Sequence, residues 1–154
     1  MASTTFSGPV TSTNGFIGNI VGSVTGTVAT TTLTAASTLT AAQSGTTLVL
    51  SSATEFATTL PAPAAGLVYT FIVGAAPSGA NYTIVTASSA NIIKGQAYPA
   101  SGDAGDTGTA DDTISFVSGS SVAGDMVTVF SDGTSWFAKA FCAVAAGVTF
   151  TQAS

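Results

Sequence analysis

Pro61 and Pro63 precede, and Pro77, Ser78 and Gly79 follow, the strongest strand signal of this chain, Leu67–Val73, with the sequence LVYTFIV. A proline donates no backbone hydrogen bond, so Pro61 and Pro63 belong outside a central strand. The run itself is too short for an ordinary helix and is rich in β-branched and aromatic residues, which favours a strand. Its lack of alternation predicts burial on both faces. GAAPSGAN (74–81) reads as a turn into a second strand, Tyr82–Ala87. A connection that short predicts antiparallel pairing of the two.

The same grammar of short strands and turn residues recurs along the chain. TLTAAQSGTTLVLSS (Thr38–Ser52) reads as a hairpin-like pair around Ser44-Gly45, with Leu48 and Leu50 on one face and Val49 on the other. ANIIKG (Ala90–Gly95) is followed by a Gly/Asp-rich loop, Ser101–Asp112. Thr113–Ser118, Met126–Ser131 and Ser135–Ala145 read as strands, and GVTFTQ (147–152) closes the series. Asp132-Gly133 is a strong hairpin signal because such turns need positive φ. No segment reads as a helix, since Gly, Pro and Thr interrupt the alanine-rich patches. The expected fold is all-β: an antiparallel β-sandwich or barrel-like domain over residues 31–154.

Residues 1–30 read as an extended N-terminal arm. Gly8-Pro9 and Asn14-Gly15 are turn signals. Gly18, Gly22 and Gly26 recur every four residues, as small residues do on packed membrane helices. The Ile, Val, Ser and Thr between them favour a strand instead, and the stretch is too polar to span lipid. In a strand Ile20, Gly22, Val24, Gly26 and Val28 share one face, a pattern suited to close approach of another backbone.

Charged residues make up only 6% of the chain, against about 25% in ordinary globular proteins. Hydrophobic residues stand at 45%, so this is not the composition of disorder. Ser, Thr, Ala and Gly fill the gap, which suits outward faces carrying hydroxyls and a surface that packs against something. Two lysines against seven acidic residues give a net charge of −5. That balance argues against nucleic acid and against anionic membranes as partners. The first residues, MASTTFSGPV, lack the basic and apolar regions of a secretory signal. The expectation is folding in the cytoplasm of the producing cell and delivery by assembly.

Chemistry-bearing residues are few. The chain has no histidine, which removes Ser-His-Asp and Cys-His catalysis and most transition-metal sites. Cys142 is unpaired and reads as a small buried hydrophobe, with Lys139 the one cation near it in sequence. Glu55, the only Glu, would have to meet an Asp to form a glycosidase pair, yet the Asp residues lie in turns. No enzyme activity and no cofactor is expected. The best metal candidates are Asp103, Asp106, Asp111 and Asp112, hard oxygen ligands suited to calcium, but their spacing does not match an EF-hand loop. A solvated acidic loop is the simpler reading. Asn81-Tyr82-Thr83 matches a glycosylation sequon and reads here as a strand start. Trp136 and Phe137 are adjacent and would point to opposite faces, one into the core and one toward an interface. Phe6, Phe16, Ile20, Val24, Val28 and Trp136 are the interface candidates.

Six segments together carry a resemblance: FSGPVTSTNGF, LTAAQSGTTLVL, TTLPAPAAGLVYTFIV, NIIKG, GDMVTVFSDGTSWF and the terminal GVTF. They span nearly the whole chain, which resembles the capsid decoration (cement) proteins of tailed bacteriophages. The resemblance implies a β-rich, non-enzymatic virion component on the outer capsid surface. It would bridge capsomers as a homotrimer, with the major capsid protein and further copies of itself as partners. An N-terminal arm would then add a strand to a neighbouring sheet edge. The LPxxxxGxxxTF pattern also occurs in fibre and baseplate domains of phages, so the alternative is a tail module that recognises a host surface glycan.

Overall fold

A computed structural model of the chain describes residues 28–152. In chain order the strands are β1 (Thr30–Leu33), β2 (Ser37–Thr38), β3 (Thr47–Leu50), β4 (Ala57–Thr59), β5 (Val68–Val73), β6 (Tyr82–Val85), β7 (Ile93–Pro99), β8 (Thr107–Asp111), β9 (Thr113–Phe116), β10 (Met126–Ser131), β11 (Trp136–Cys142) and β12 (Val148–Thr151). The helical content among the described residues is three 3-10 turns, at Ala41–Gln43, Ala87–Ser89 and Ala145–Gly147. The strands form a seven-stranded sheet, β1-β3-β5-β10-β11-β7-β8, packed on a five-stranded sheet, β12-β9-β6-β4-β2. The fold is therefore the expected all-β sandwich.

The sheets are mixed instead of purely antiparallel, and the way the chain winds explains it. Over its first six strands the chain changes sheet at every step. Each return lays a strand parallel to the one two steps earlier: β3 beside β1, β5 beside β3, β4 beside β2 and β6 beside β4. The short connections are therefore crossings from one layer to the other, not hairpin turns. This corrects two expectations. Thr38–Ser52 is not a hairpin, because β2 and β3 belong to different sheets. β6 is not paired with β5 but crosses into the smaller sheet after the 74–81 connection. The second half of the chain contains the antiparallel pairs, β10 with β11 and with β5, β9 with β6 and β12, and β7 with β8. The hairpin at Asp132-Gly133 is present, with Gly133 at φ 101°.

Leu48 and Leu50 face the core and Val49 faces out, as alternation predicts. In β5 only Tyr69, Phe71 and Val73 are fully buried; Val68, Thr70 and Ile72 are half-buried on the outer face. The expected burial on both faces is thus corrected to one. The apolar residues of the outer row are shielded by neighbouring side chains, not by a second layer. Trp136 sits in the core against Tyr69, with ring centroids 5.9 Å apart, and pairs across the ladder with Ile93 of the same buried cluster. Full burial of such a side chain stabilises by about 1.5–3 kcal/mol. Of Ser101–Asp112, Thr107–Asp111 is strand β8; Ser101–Asp106 is loop and Asp112 links β8 to β9.

The two flanks of the sandwich differ. On one, β8 packs against β12. The Asp106 Oδ2 accepts the Phe150 N–H at 2.7 Å, and the Gln152 side-chain amide donates to the Ala110 carbonyl. Gly108 lets this happen, since a Cβ there would lie 2.8 Å from the Phe150 ring. On the other flank, β1 and β2 are short and mostly exposed, and each pairs on one side only among the described residues.

Candidate binding surface

The outer face of the seven-stranded sheet is organised in rows, because paired strands hold alternate residues in register. One row runs Thr30, Thr47, Thr70, Thr128, Lys139, Gln96 and Thr107. Thr70 and Thr128 share a hydrogen bond between their hydroxyls at 3.1 Å. The row on one side ends in Met126, Phe141 and Tyr98. The row on the other side runs Val68, Phe130, Phe137 and Lys94.

Two aromatic pairs therefore stand on this face. Phe130 and Phe137 stack with centroids 5.2 Å apart and planes 20° from parallel. Tyr98 and Phe141 lie 5.8 Å apart. Phe130, Phe141 and Tyr98 are each close to half exposed, at 48%, 47% and 47%, so they are not core residues that reach the surface by accident. Phe137 and Phe141 are four residues apart in one strand, which separates the pairs by about 13 Å.

The chain's only two lysines, with no arginine beside them, both lie here. The Lys139 ammonium is 5.1 Å from the Phe141 ring centroid and 5.7 Å from that of Tyr98. The Lys94 ammonium is 5.8 Å from Phe137 and donates to the Ser135 hydroxyl at 3.3 Å. At this range the ring quadrupole attracts a cation by about 0.5–1 kcal/mol at an exposed site. The Tyr98 hydroxyl donates to Gln96 Oε1 at 2.7 Å and fixes the ring. Between the pairs runs a trough of about 450 Å³ lined by Lys94, Gln96, Tyr98, Thr107, Phe137 and Lys139. It adjoins a hollow of about 410 Å³ under the 101–106 loop, bordered by Asp103.

The residues singled out in the sequence fall elsewhere. Trp136 is fully buried, which corrects its place among the interface candidates; Phe137 is the outward-facing member of the pair. Val28 is 67% exposed, while Phe6, Phe16, Ile20 and Val24 lie outside the described residues, as does most of the segment read as an arm. The four loop aspartates are not brought together as a ligand set: among the described residues no three Asp, Glu, Cys or His side chains converge as metal ligands. Asp106 accepts the N–H groups of Thr107 and Phe150, Asp111 accepts that of Thr109, and Asp112 is buried with the Thr113 hydroxyl on its carboxylate. Each of these three is occupied in holding local backbone or a side chain.

Glu55 is likewise structural. Its Oε1 accepts the N–H groups of Ser78 and Gly79, and its Oε2 that of Ala80. The Ser78 N–H foremost holds the Glu55 carboxyl below its usual pKa. Cys142 is buried, and burial first, then the Asp125 carboxylate, push its thiol pKa up. Asn81 accepts the Ser118 N–H at 2.8 Å, so the sequon asparagine pins a loop. No helix among the described residues is long and apolar enough to cross a membrane.

Sequence reasoning missed Lys94, Gln96, Tyr98, Phe130 and Lys139 as a group. A signal was present on each side of Asp132-Gly133. FAKAF places Phe137, Lys139 and Phe141 on one face, and the hairpin register adds Phe130, Thr128 and Met126 to it.

Comparison with known protein families, with curated proteins and with solved structures returns no match.

Proposed function

We propose that the chain is a non-enzymatic structural protein of a tailed-bacteriophage virion, a decoration protein that binds the outer capsid lattice and bridges capsomers. Its partners in this reading are the major capsid protein and further copies of itself, arranged as a homotrimer. The observation that carries the reading is the contrast between the flanks. β8 and β12 cover each other, whereas β1 and β2 offer exposed, threonine-rich strands at the point where residues 1–27 join the domain. An uncovered strand edge is a docking site for another backbone. The six motif segments and the low charge support the same reading. Many such contacts on a lattice raise avidity by about 10² to 10⁴ without any one being strong.

Cryo-electron microscopy of the virion that carries this protein tests the proposal. The expected result is density at regular positions on the head, with threefold symmetry and the β1/β2 flank toward a neighbouring chain. Density confined to the tail or its fibres overturns it in favour of a fibre or baseplate module. Density on the head with that flank turned to solvent leaves the location but removes the mechanism.

A further inference from the structure

We propose that the trough between the Phe130–Phe137 and Tyr98–Phe141 pairs binds an acidic polysaccharide, one whose sugar rings carry carboxylates. The inference is independent of the lattice-binding reading. The trough centres on β11 and β7, and β11 stands four strands from β1, roughly 19 Å across the sheet. The two surfaces can act at once.

Three features of the trough define its ligand. The first is charge. Both basic side chains of a chain with net charge −5 converge on it, held over ring faces; the Lys94 ammonium spends one donor on the Ser135 hydroxyl, and an ammonium has three donors to offer. The second is the pair of platforms. Aromatic faces carry the negative side of a quadrupole and attract polarised C–H groups, such as those on the apolar face of a sugar ring. Two platforms about 13 Å apart call for an oligomer and not for a single ring. The third is the floor between them, where Lys139, Gln96, Thr107 and Thr128 offer donors and acceptors in a row. Gln96 spends its oxygen on Tyr98 and keeps its amide donors.

Other occupants fit less well. The centre of a protein–protein interface is depleted in lysine, and Lys139 stands in the middle of this face. A single-stranded nucleic acid also stacks on aromatic rings, but it carries a charge at every nucleotide and needs a basic groove along its backbone. Two lysines on an acidic protein do not provide one.

Affinity electrophoresis in native gels tests the proposal with the full chain. The gels contain polygalacturonate, alginate, hyaluronate or polysialate, with dextran as the neutral control and poly(dT) as the nucleic-acid control. Retardation by at least one acidic polysaccharide is expected, weakening as salt is raised. Lys94→Ala with Lys139→Ala should weaken it tenfold or more, and so should Tyr98→Ala. All three residues are solvent-facing, and an unchanged urea midpoint verifies that each variant is folded. Asp103→Asn should tighten binding, since it removes the carboxylate bordering the adjoining hollow. Failure of all four acidic polymers overturns the proposal. So does equal retardation by dextran, unchanged affinity in the double lysine variant, or retardation by poly(dT) alone. None of these outcomes depends on where the protein sits on a particle, so the decoration reading stands or falls separately.

Discussion

Asp125 Oδ1 accepts the backbone N–H of Ala143 at 2.9 Å, joining residues 18 positions apart. Its Oδ2 accepts the Ser121 hydroxyl at 2.8 Å and the Val122 N–H at 3.1 Å, and the whole residue is buried. Its backbone carbonyl takes the Val73 N–H at 2.9 Å. One residue thus ties the end of β5, the turn before β10 and the segment after β11. Asp125→Ala leaves buried or partly buried donors without a partner, and hydrogen bonds to a charged group are worth about 1.5–3 kcal/mol each. A loss of about 3 kcal/mol or more in urea unfolding is expected. A loss below about 1 kcal/mol would show that water replaces the carboxylate at little cost.

Phe71 lies at the centre of the larger sheet's inner face with no exposed surface. Phe71→Ala should cost about 3–5 kcal/mol by urea titration. Phe71→Asp should give no folded protein, because a charge without a partner would enter a dry core. Leu67→Asp is expected to act in the same way at the start of the strand. A soluble Phe71→Asp protein with a native near-ultraviolet spectrum would contradict the burial.

The carboxyl groups of Glu55 and Asp132 both titrate below their usual values, held there by backbone N–H groups of Ser78 and of Ser135 and Thr134 respectively. A lowered pKa in the folded state means that the contribution to stability is complete above the unfolded-state pKa, about 4.3 for Glu and about 3.9 for Asp. It is lost as pH falls through the folded value. Stability should therefore be flat with respect to these groups from pH 7 to about pH 5 and decline below that. Glu55→Gln should be less stable at pH 7 and should decline less between about pH 5 and pH 2. Parallel stability curves for the two proteins would remove Glu55 from the account.

Gly133 holds φ at 101° in the β10–β11 turn, where Asp132 Oδ1 accepts the N–H groups of Thr134 and Ser135 at 2.8 Å each. A residue with a Cβ is strained there by about 1–2 kcal/mol. Gly133→Val should lower the thermal midpoint measurably and disturb the Phe130–Phe137 stack beside the turn. An unchanged midpoint would mean that the turn relaxes to another type at no cost.

Cys142 should resist modification while the protein is folded. Its thiol is buried and its pKa is raised, so little thiolate is available to a reagent. Ellman's reagent at pH 8 is expected to react only on addition of denaturant. Rapid labelling of the native protein would show that the end of β11 opens locally.

The strands of the second half were legible because each carries its own signal. MVTVFS and WFAKAFC alternate, and Asp132-Gly133 names the turn between them. The layer changes of the first half carry no such signal. A short connection such as 74–81 reads equally well as a hairpin turn and as a crossing between sheets, and only the register of the finished sheets separates the two. The expectation of two-sided burial for β5 failed for a related reason. Val68 and Ile72 are apolar because they adjoin Phe130 and Met126 across the ladder, not because a layer covers them. Beyond Gly95, β7 was hidden by its composition: Gln96, Tyr98 and Pro99 do not read as a strand, although they pair with β11 along its length. The trough was therefore divided among segments that looked unrelated. Trp136 drew the attention that belonged to Phe137, since adjacency in a strand shows that two side chains part company but not which one turns inward.

The difference between the flanks limits how this domain can multiply. A strand-bearing molecule with two bare rims can add copies at both ends and run on without stopping. Here the described domain has one bare rim, and the other is sealed by its own last strand. Edge-to-edge addition therefore cannot run on as an open filament. A closed assembly such as the proposed trimer has to be completed by contacts other than one bare rim laid against another.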